Sequence, residues 1–239
     1  MSGIEATEKA MSDMTLSPCP FGHQMRDKHF LLAPTYTSLN HGAFGTYPKS
    51  VQKRLHEIQA LAEARPDVFL RYQYPAMLGE NRAAMAEFLG VPVGEVVFVP
   101  NATTAINVVL RSLKYEKGDV MLLLSSVYGS VEKTVEYLRE TTDVDRIWVP
   151  VQYPVDDEVL VASFQQTIKK AKKDGLNVKI ASFDTISSLP GVRVPWERLV
   201  EVCRAEGVLS MVDGAHGIGH IRLDLPNVQP DFLTSNCHK

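Results

Sequence analysis

Residues 208–217 read Val-Leu-Ser-Met-Val-Asp-Gly-Ala-His-Gly, an apolar and β-branched run that ends in an acid and then in small residues. The run predicts a buried strand, because such residues favour a sheet. An aspartate at the carboxyl end of a parallel strand lies where open α/β sheets receive their ligands. Asp213 is therefore a candidate site residue, and Gly214 and Ala215 would let a flat ring approach closely. Alternatively, Asp213 caps a turn and His216 forms a local hydrogen bond.

Outward from this strand, short β-branched runs alternate with segments of helical period from residue 95 to the end of the chain. This alternation is typical of βα units and predicts an α/β fold with a mostly parallel sheet. The predicted strands are 96–99, 120–124, 146–149, 178–183, 208–212 and 232–234. The predicted helices are 103–114, 129–141, 157–173 and 196–206, with stop signals at Gly118, Gly175 and Gly207. Two further helical stretches, 48–64 and 75–89, precede the first predicted strand.

The composition is that of a globular domain, with 239 residues of which 45% are hydrophobic and 22% are charged. A net charge of −3 gives no basic surface for nucleic acid or an anionic membrane. The three cysteines lack the paired spacings of zinc or redox motifs, which favours a reducing, cytoplasmic setting and no metal. The apolar run at 120–124 is too short to span a bilayer. Residues 1–27 lack the pattern of a secretory signal and are predicted to be a mobile leader.

A second polar cluster, Asn101-Ala102-Thr103-Thr104, opens the predicted helix at 103–114. A helix start offers unpaired N–H groups and a positive dipole end, so it can hold a phosphate, and threonine hydroxyls add donors. In the alternative, Asn101 or Thr103 merely caps the helix. The cluster lacks the lysine of a Walker loop and the glycines of a dinucleotide fold, so nucleotide binding has little support.

The chain ends on a third cluster, Thr-Ser-Asn-Cys-His-Lys at 234–239, which brings polar donors and then an amine to the end of a predicted strand. A terminal lysine such as Lys239 can also be a solvated tail residue. Near the other end, the loop at 39–46 is rich in Asn, His and Gly. These features have to be interpreted together with the two motifs above.

In this order, the motifs resemble the class V aminotransferase family of fold type I pyridoxal phosphate (PLP) enzymes. The family includes cysteine desulfurases, isopenicillin N epimerase-like proteins and hercynylcysteine sulfoxide lyases. The stretch Leu-Asn-His-Gly-Ala-Phe-Gly-Thr-Tyr-Pro at 39–48 and the final Asn-Cys-His-Lys look like the epimerase-like branch. The resemblance runs from about Phe30 to the end. It implies an N-terminal arm with helices over 28–94 and, over 95–239, an incomplete PLP-binding large domain of three layers, with the C-terminal half and the small domain missing.

The resemblance implies that Lys239 forms a Schiff base with PLP and moves the Cα proton of the substrate. Asp213 would pair with the pyridine nitrogen and keep it protonated. Other residues would hold the cofactor phosphate. At the helix start these are Ala102 through its backbone, Thr103 and Thr104. From the other side, His238 and also Asn236 or Ser235 could reach the phosphate.

Further roles concern the ring and the substrate. Tyr128 would stack on the ring, although it can also be a core or surface tyrosine. His216 would lie near the phenolic oxygen of the ring, together with Ser187 or Asp184, where the sequence departs from the family's commoner His-x-Thr-Ser pattern. The substrate side would be lined by Asn40 and His41; Arg71 either meets a substrate carboxylate or is an exposed arginine beside Asp67.

The implied function is PLP-dependent Cα deprotonation of an amino-acid substrate, as a C–S lyase or epimerase, with an aminotransferase as the alternative. In a second hypothesis the chain is an inactive truncated PLP-fold protein that binds or dimerises with a full-length copy. A third, nucleotide binding without PLP, has only the generic α/β pattern behind it. The expected partners are a small amino-acid substrate and, in the full-length form, a second copy in a homodimer.

Overall fold

The computed structural model describes residues 17–239, so most of the predicted mobile leader lies outside the described residues. In the rest of that segment the helix α1 (His23–His29) begins. The described chain divides into two compact units. One comprises the residues up to Ala83 together with His238 and Lys239, and the other comprises Ala84–Cys237. The predicted domain boundary between residues 94 and 95 stays a prediction.

The first unit is built from helices. After α1 come α2 (Lys49–Ala64), the short α3 (Pro66–Val68) and a π-helical segment (Phe69–Gln73), which continues into α4 (Tyr74–Leu89). The residues of α4 from Ala84 onward belong to the second unit. Proline precedes α2 and opens α3, positions where a helix has no use for a backbone N–H. The two helices predicted at 48–64 and 75–89 are confirmed, and the π-helical segment was not predicted.

The second unit contains a sheet of five parallel strands, which confirms five of the predicted strands to within two residues. The sheet order is β2-β1-β3-β4-β5, and every neighbouring pair is parallel. The strands are β1 (Asp119–Leu124), β2 (Asp145–Val149), β3 (Asn177–Asp184), β4 (Leu209–Gly214) and β5 (Phe232–Ser235).

Helices cover both faces of this sheet, as the continuously apolar β1 requires. Leu122 and Leu124 point to one face, where they share a core with Phe164 of the helix at 157–173. Met121 points to the other face and shares a core with Ile106 of the helix at 102–112. The result is the predicted three-layer arrangement. The helices of the second unit are α5 (Ala102–Ser112), α6 (Gly129–Thr141), α7 (Asp157–Lys173), α8 (Trp196–Glu206) and the one-turn α9 (Leu225–Val228), with a 3-10 turn at Val93–Glu95.

The strand predicted at 96–99 is wrong. The segment is extended at its start, with φ −105° and ψ 127° at Val96, but it belongs to none of the five strands. Val97 is 71% exposed and Phe98 is 42% exposed. A β-branched composition favours the extended conformation locally, but it does not supply a neighbouring strand.

Gly207 ends α8, as predicted. It adopts the left-handed conformation at φ 66°, and its N–H donates to the Arg204 carbonyl. This conformation is open to glycine at no steric cost, which is why glycine terminates so many helices. In the part of the chain that the structure describes, no helix combines the length and the apolar character needed to cross a bilayer.

Candidate active site

The start of α5 is capped from two directions. Asn101 is the N-cap, and its Oδ1 accepts hydrogen bonds from the Thr104 N–H at 2.8 Å and the Thr104 hydroxyl at 3.1 Å. Asn236, which follows β5, accepts the Ala102 N–H through its own Oδ1 at 3.0 Å. Between them, the Thr103 N–H makes no hydrogen bond among the described residues. Capping therefore occupies Asn101, and the Thr103 N–H is the group that can meet an anion.

Polar side chains also tie the start of α5 to the start of α6. The Thr103 and Ser130 hydroxyl oxygens lie 3.2 Å apart, and one turn further on Asn107 Nδ2 donates to the Thr134 hydroxyl at 2.9 Å. Tyr128 stands two residues before Ser130 as the N-cap residue of α6, and its side chain is about half exposed. An accessible aromatic ring thus lies in the loop that joins β1 to α6.

Three polar side chains form a line across the carboxyl ends of β3, β4 and β5. In the strand register Asp184 pairs with Asp213, and Asp213 pairs with Thr234. Paired residues point to the same face, so these side chains share the face on which α5 and α6 pack. The three residues are 3%, 3% and 7% exposed, respectively. Asp184, Asp213 and Thr234 are called the polar row below.

Hydrogen bonding within the polar row is uneven. Asp213 Oδ1 accepts the Ala215 N–H at 2.9 Å. Asp184 Oδ2 and Thr234 Oγ1 make no hydrogen bond among the described residues. Burial, and then the neighbouring Asp213 carboxylate, raise the pKa of Asp184 well above its usual value. Since buried polar atoms are nearly always paired in folded proteins, these two oxygens are candidates for contact with a ligand.

Gly214, the last residue of β4, has a steric role inside the sheet. A Cβ at this position would lie 2.7 Å from the Thr234 carbonyl oxygen, closer than such atoms approach in real structures. The backbone also receives a hydrogen bond, because the Ser235 hydroxyl donates to the Gly214 carbonyl. The close approach of β5 is therefore one reason for this glycine, and the approach of a flat ring stays a prediction.

Two residues predicted near the phenolic oxygen of the ring lie in the loops after β3 and β4. Ser187 is fully buried, and its hydroxyl donates to the Pro190 carbonyl, with the Val192 carbonyl 3.3 Å away. This hydroxyl closes its own loop. His216 is half-buried in the turn that follows β4. The cofactor role of both residues stays a prediction.

In the first unit, the loop at 39–46 contacts the end of the chain. The Asn40 carbonyl accepts the Phe44 N–H at 2.9 Å, which closes a turn. A Cβ on Gly45 would collide with the His238 carbonyl and would lie 2.9 Å from the His41 carbonyl. The structure thus places Gly45 next to both His41 and His238, the residue that precedes Lys239.

Arg71, a further candidate for the substrate carboxylate, lies in the π-helical segment of the first unit. It is exposed to solvent. Both predictions for Arg71, contact with a substrate carboxylate or a place beside Asp67, stay predictions.

The family described as Aminotransferase class-V matches residues 51–239, and the chain therefore belongs to this family. It is 37% identical over 220 residues to the L-cysteine desulfhydrase-like protein lolT1 of Epichloe uncinata, which covers 92% of this chain and 48% of that protein. It is 30% identical over 219 residues to the hercynylcysteine sulfoxide lyase of Schizosaccharomyces pombe, with 92% and 54% covered. The chain spans about half the length of these curated relatives.

The fold of the chain is similar to that of a solved structure. The chain superposes with a TM-score of 0.77 on a C-DES mutant that has glycine covalently linked to its PLP cofactor. The sequence identity is 21%, and the match covers 86% of this chain and 53% of that one. The predicted fold class is confirmed: the second unit carries the parallel α/β sheet of the fold type I PLP-dependent transferases.

Proposed function

We propose that this chain provides the cofactor site of a PLP-dependent enzyme that removes the Cα proton of an amino-acid substrate, with C–S bond cleavage as the outcome. The observation that carries the proposal is the polar row, in which Asp213 is flanked by two buried oxygens without partners. The names of the two relatives, a desulfhydrase-like protein and a sulfoxide lyase, support C–S cleavage over transamination.

The residues of the second unit fit PLP in charge and shape. The buried Asp213 carboxylate offers an anion to the protonated pyridine nitrogen. The Thr103 N–H at the positive end of α5 offers a donor to the phosphate, with the hydroxyls of Thr103 and Ser130 nearby. Tyr128 offers an accessible ring for stacking. When bound, the cofactor supplies an electron sink for the charge that develops at the substrate Cα.

The chain's own residues would carry out the remaining steps. Asp213 would orient the ring and keep its nitrogen protonated. The Lys239 amine would bind the cofactor and then accept the proton from the substrate Cα, which requires its unprotonated form. Asn40 and His41 would line the substrate side, and Gly45 of the same loop lies next to both His41 and His238. A β-sulfur group would leave once the Cα proton is gone.

The test is to add PLP to the purified chain and record the visible absorption band of a lysine-linked cofactor. We expect a band that borohydride fixes and that disappears in Lys239→Ala. Lys114→Ala, at an exposed lysine, is the matched control and should keep the band. If borohydride fixes the label elsewhere, or Lys239→Ala keeps the band, the assignment of Lys239 is wrong.

The reaction outcome needs a separate measurement on chain that has bound PLP. With cysteine or a cysteine sulfoxide, a C–S lyase releases a sulfur product together with pyruvate and ammonia. Inversion of the substrate at Cα would instead indicate an epimerase, and a keto acid that retains the sulfur would indicate an aminotransferase. Absence of all three in chain that binds PLP would favour the binding or dimerising role, and sedimentation of the chain with a longer copy would test it.

A further inference from the structure

We propose that Asp184 is a positioning residue held as a neutral carboxylic acid, so that the pair Asp184 and Asp213 carries a single negative charge and presents one O–H donor to the bound ligand. The inference rests on the proposed function in naming PLP as that ligand. The protonation state itself is a property of the cofactor-free chain.

Asp184 and Asp213 are neighbours in the sheet, and both are buried. They are partners in the register of β3 and β4, they point to the same face of the sheet, and each is 3% exposed. Two carboxylates so close together in a medium of low dielectric constant repel strongly, and both lose hydration. The pair therefore retains one proton over a range of pH where a solvated aspartate has none.

The two acids differ in how well their surroundings stabilise a negative charge. Asp213 Oδ1 accepts the Ala215 N–H at 2.9 Å, and a hydrogen bond of this kind stabilises the carboxylate form. Asp184 Oδ2 receives no donor among the described residues. Burial and then the Asp213 carboxylate on β4 raise the pKa of Asp184, and together they outweigh a backbone hydrogen bond at Asp184 that lowers it. The negative charge therefore belongs to Asp213 and the proton to Asp184.

The single negative charge of the pair matches the single positive charge that the ligand would bring. A protonated pyridine nitrogen brings one positive charge into the buried row, which balances one carboxylate and not two. A neutral Asp184 adds no second charge and offers an O–H from the oxygen that has no protein partner. An acceptor oxygen on the ring system is the group that such a donor would fix. Asp184 would thus set the orientation of the ring without contributing to its charge balance.

The protonation state can be measured without any cofactor. Infrared difference spectra between the unsubstituted chain and Asp184→Asn at pH 7 should show loss of the carbonyl band of a protonated carboxyl group. Asp67→Asn, at an exposed aspartate outside the pair, should keep that band. If Asp184→Asn instead loses the bands of an ionised carboxylate, the proposal is overturned.

Cofactor affinity tests the donor role. PLP should bind about 10-fold more weakly to Asp184→Ala than to the unsubstituted chain, because a buried hydrogen bond is lost. Asp184→Asn, which is neutral and keeps an N–H donor, should restore most of that loss. Equal affinities of the Ala and Asn variants would overturn the donor role. If neither the unsubstituted chain nor the two variants bind PLP, the proposed function is wrong. The infrared result on the protonation of Asp184 does not depend on that outcome.

Discussion

The two polar regions of the candidate site satisfy their hydrogen bonds in opposite ways. At the start of α5, Asn101 and Asn236 pair the N–H groups of Thr104 and Ala102. In the polar row, Asp184 Oδ2 and Thr234 Oγ1 have no partner among the described residues. The hydrogen bonds at the helix start therefore stabilise the folded chain without a ligand. The unpaired oxygens of the polar row destabilise the folded chain until a ligand pairs with them. A capping residue at the start of α5 should therefore stabilise the folded chain. A residue of the polar row should destabilise the folded chain or have no effect on its stability.

The largest effect is expected from Gly214→Ala, which forces β5 away from β4 and disrupts the polar row. The added Cβ would meet a backbone oxygen, which cannot move aside cheaply. We expect the free energy of unfolding to fall by about 3 kcal/mol in denaturant titrations. Gly129→Ala, where an added Cβ meets nothing within 4 Å, is the control and should change little. Equal effects of the two substitutions would show that the close approach of β5 is not what requires Gly214.

Asn236→Ala comes next, because it removes a partner from the buried Ala102 N–H. Leaving this donor unpaired should lower the free energy of unfolding by about 2 kcal/mol. Asn227→Ala, at an exposed position after the N-terminus of α9, should cost much less. Loss of amide protection from hydrogen exchange at the start of α5 would locate the damage. A wild-type exchange pattern there would contradict the capping role of Asn236.

Asp184→Asn should have the opposite sign and stabilise the cofactor-free chain by about 1 kcal/mol at pH 7. The pKa of Asp184 is raised in the folded chain, whereas an aspartate in the unfolded chain has a pKa of about 3.9. Between these two pKa values the unfolded chain has lost a proton that the folded chain keeps, so stability falls as pH rises. The advantage of Asn should therefore vanish below about pH 4 and grow toward neutral pH. Thermal melts across that range would measure it, and a pH-independent advantage would argue against a titrating Asp184.

The smallest effect is expected from Thr234→Val, which removes a buried hydroxyl that has no hydrogen bond. The free energy of unfolding should change by less than about 0.5 kcal/mol, since no pair is broken. PLP affinity should still fall if this oxygen contacts the ligand. A loss of stability as large as that of Asn236→Ala would remove the distinction between the two regions.

The strands and helices of the second unit could be predicted because each carries its own local signal. The β-branched runs predicted β1 to β5, and glycines such as Gly207 marked the ends of helices. The segment 96–99 carried the same signal and failed, since composition reports a conformational preference and not the presence of a neighbour. The motif at Asp213 could likewise be found by its place at the end of a strand, and the motif at Asn101 by its place at the start of a helix.

The pairing inside the site could not be predicted in the same way. Asn236 caps a helix that begins 134 residues earlier at Ala102, and nothing near either residue signals the other. The contact of Asp184 with Asp213 follows from the register of β3 and β4, which a shift of one residue would abolish. Thr234 looked like an ordinary strand residue, and its role appears only through that register.

The strand order also bears on how the domain can assemble during synthesis on the ribosome. β2 and β3 take the two edges of β1, β4 then joins β3, and β5 joins β4. Each newly made strand thus meets an edge that earlier strands have left open, and no strand has to be inserted between two others. Assembly can follow the order of translation. Only the arrival of β5 brings Thr234 beside Asp213 and Asn236 to the start of α5, so the candidate site is completed after the other four strands have been made.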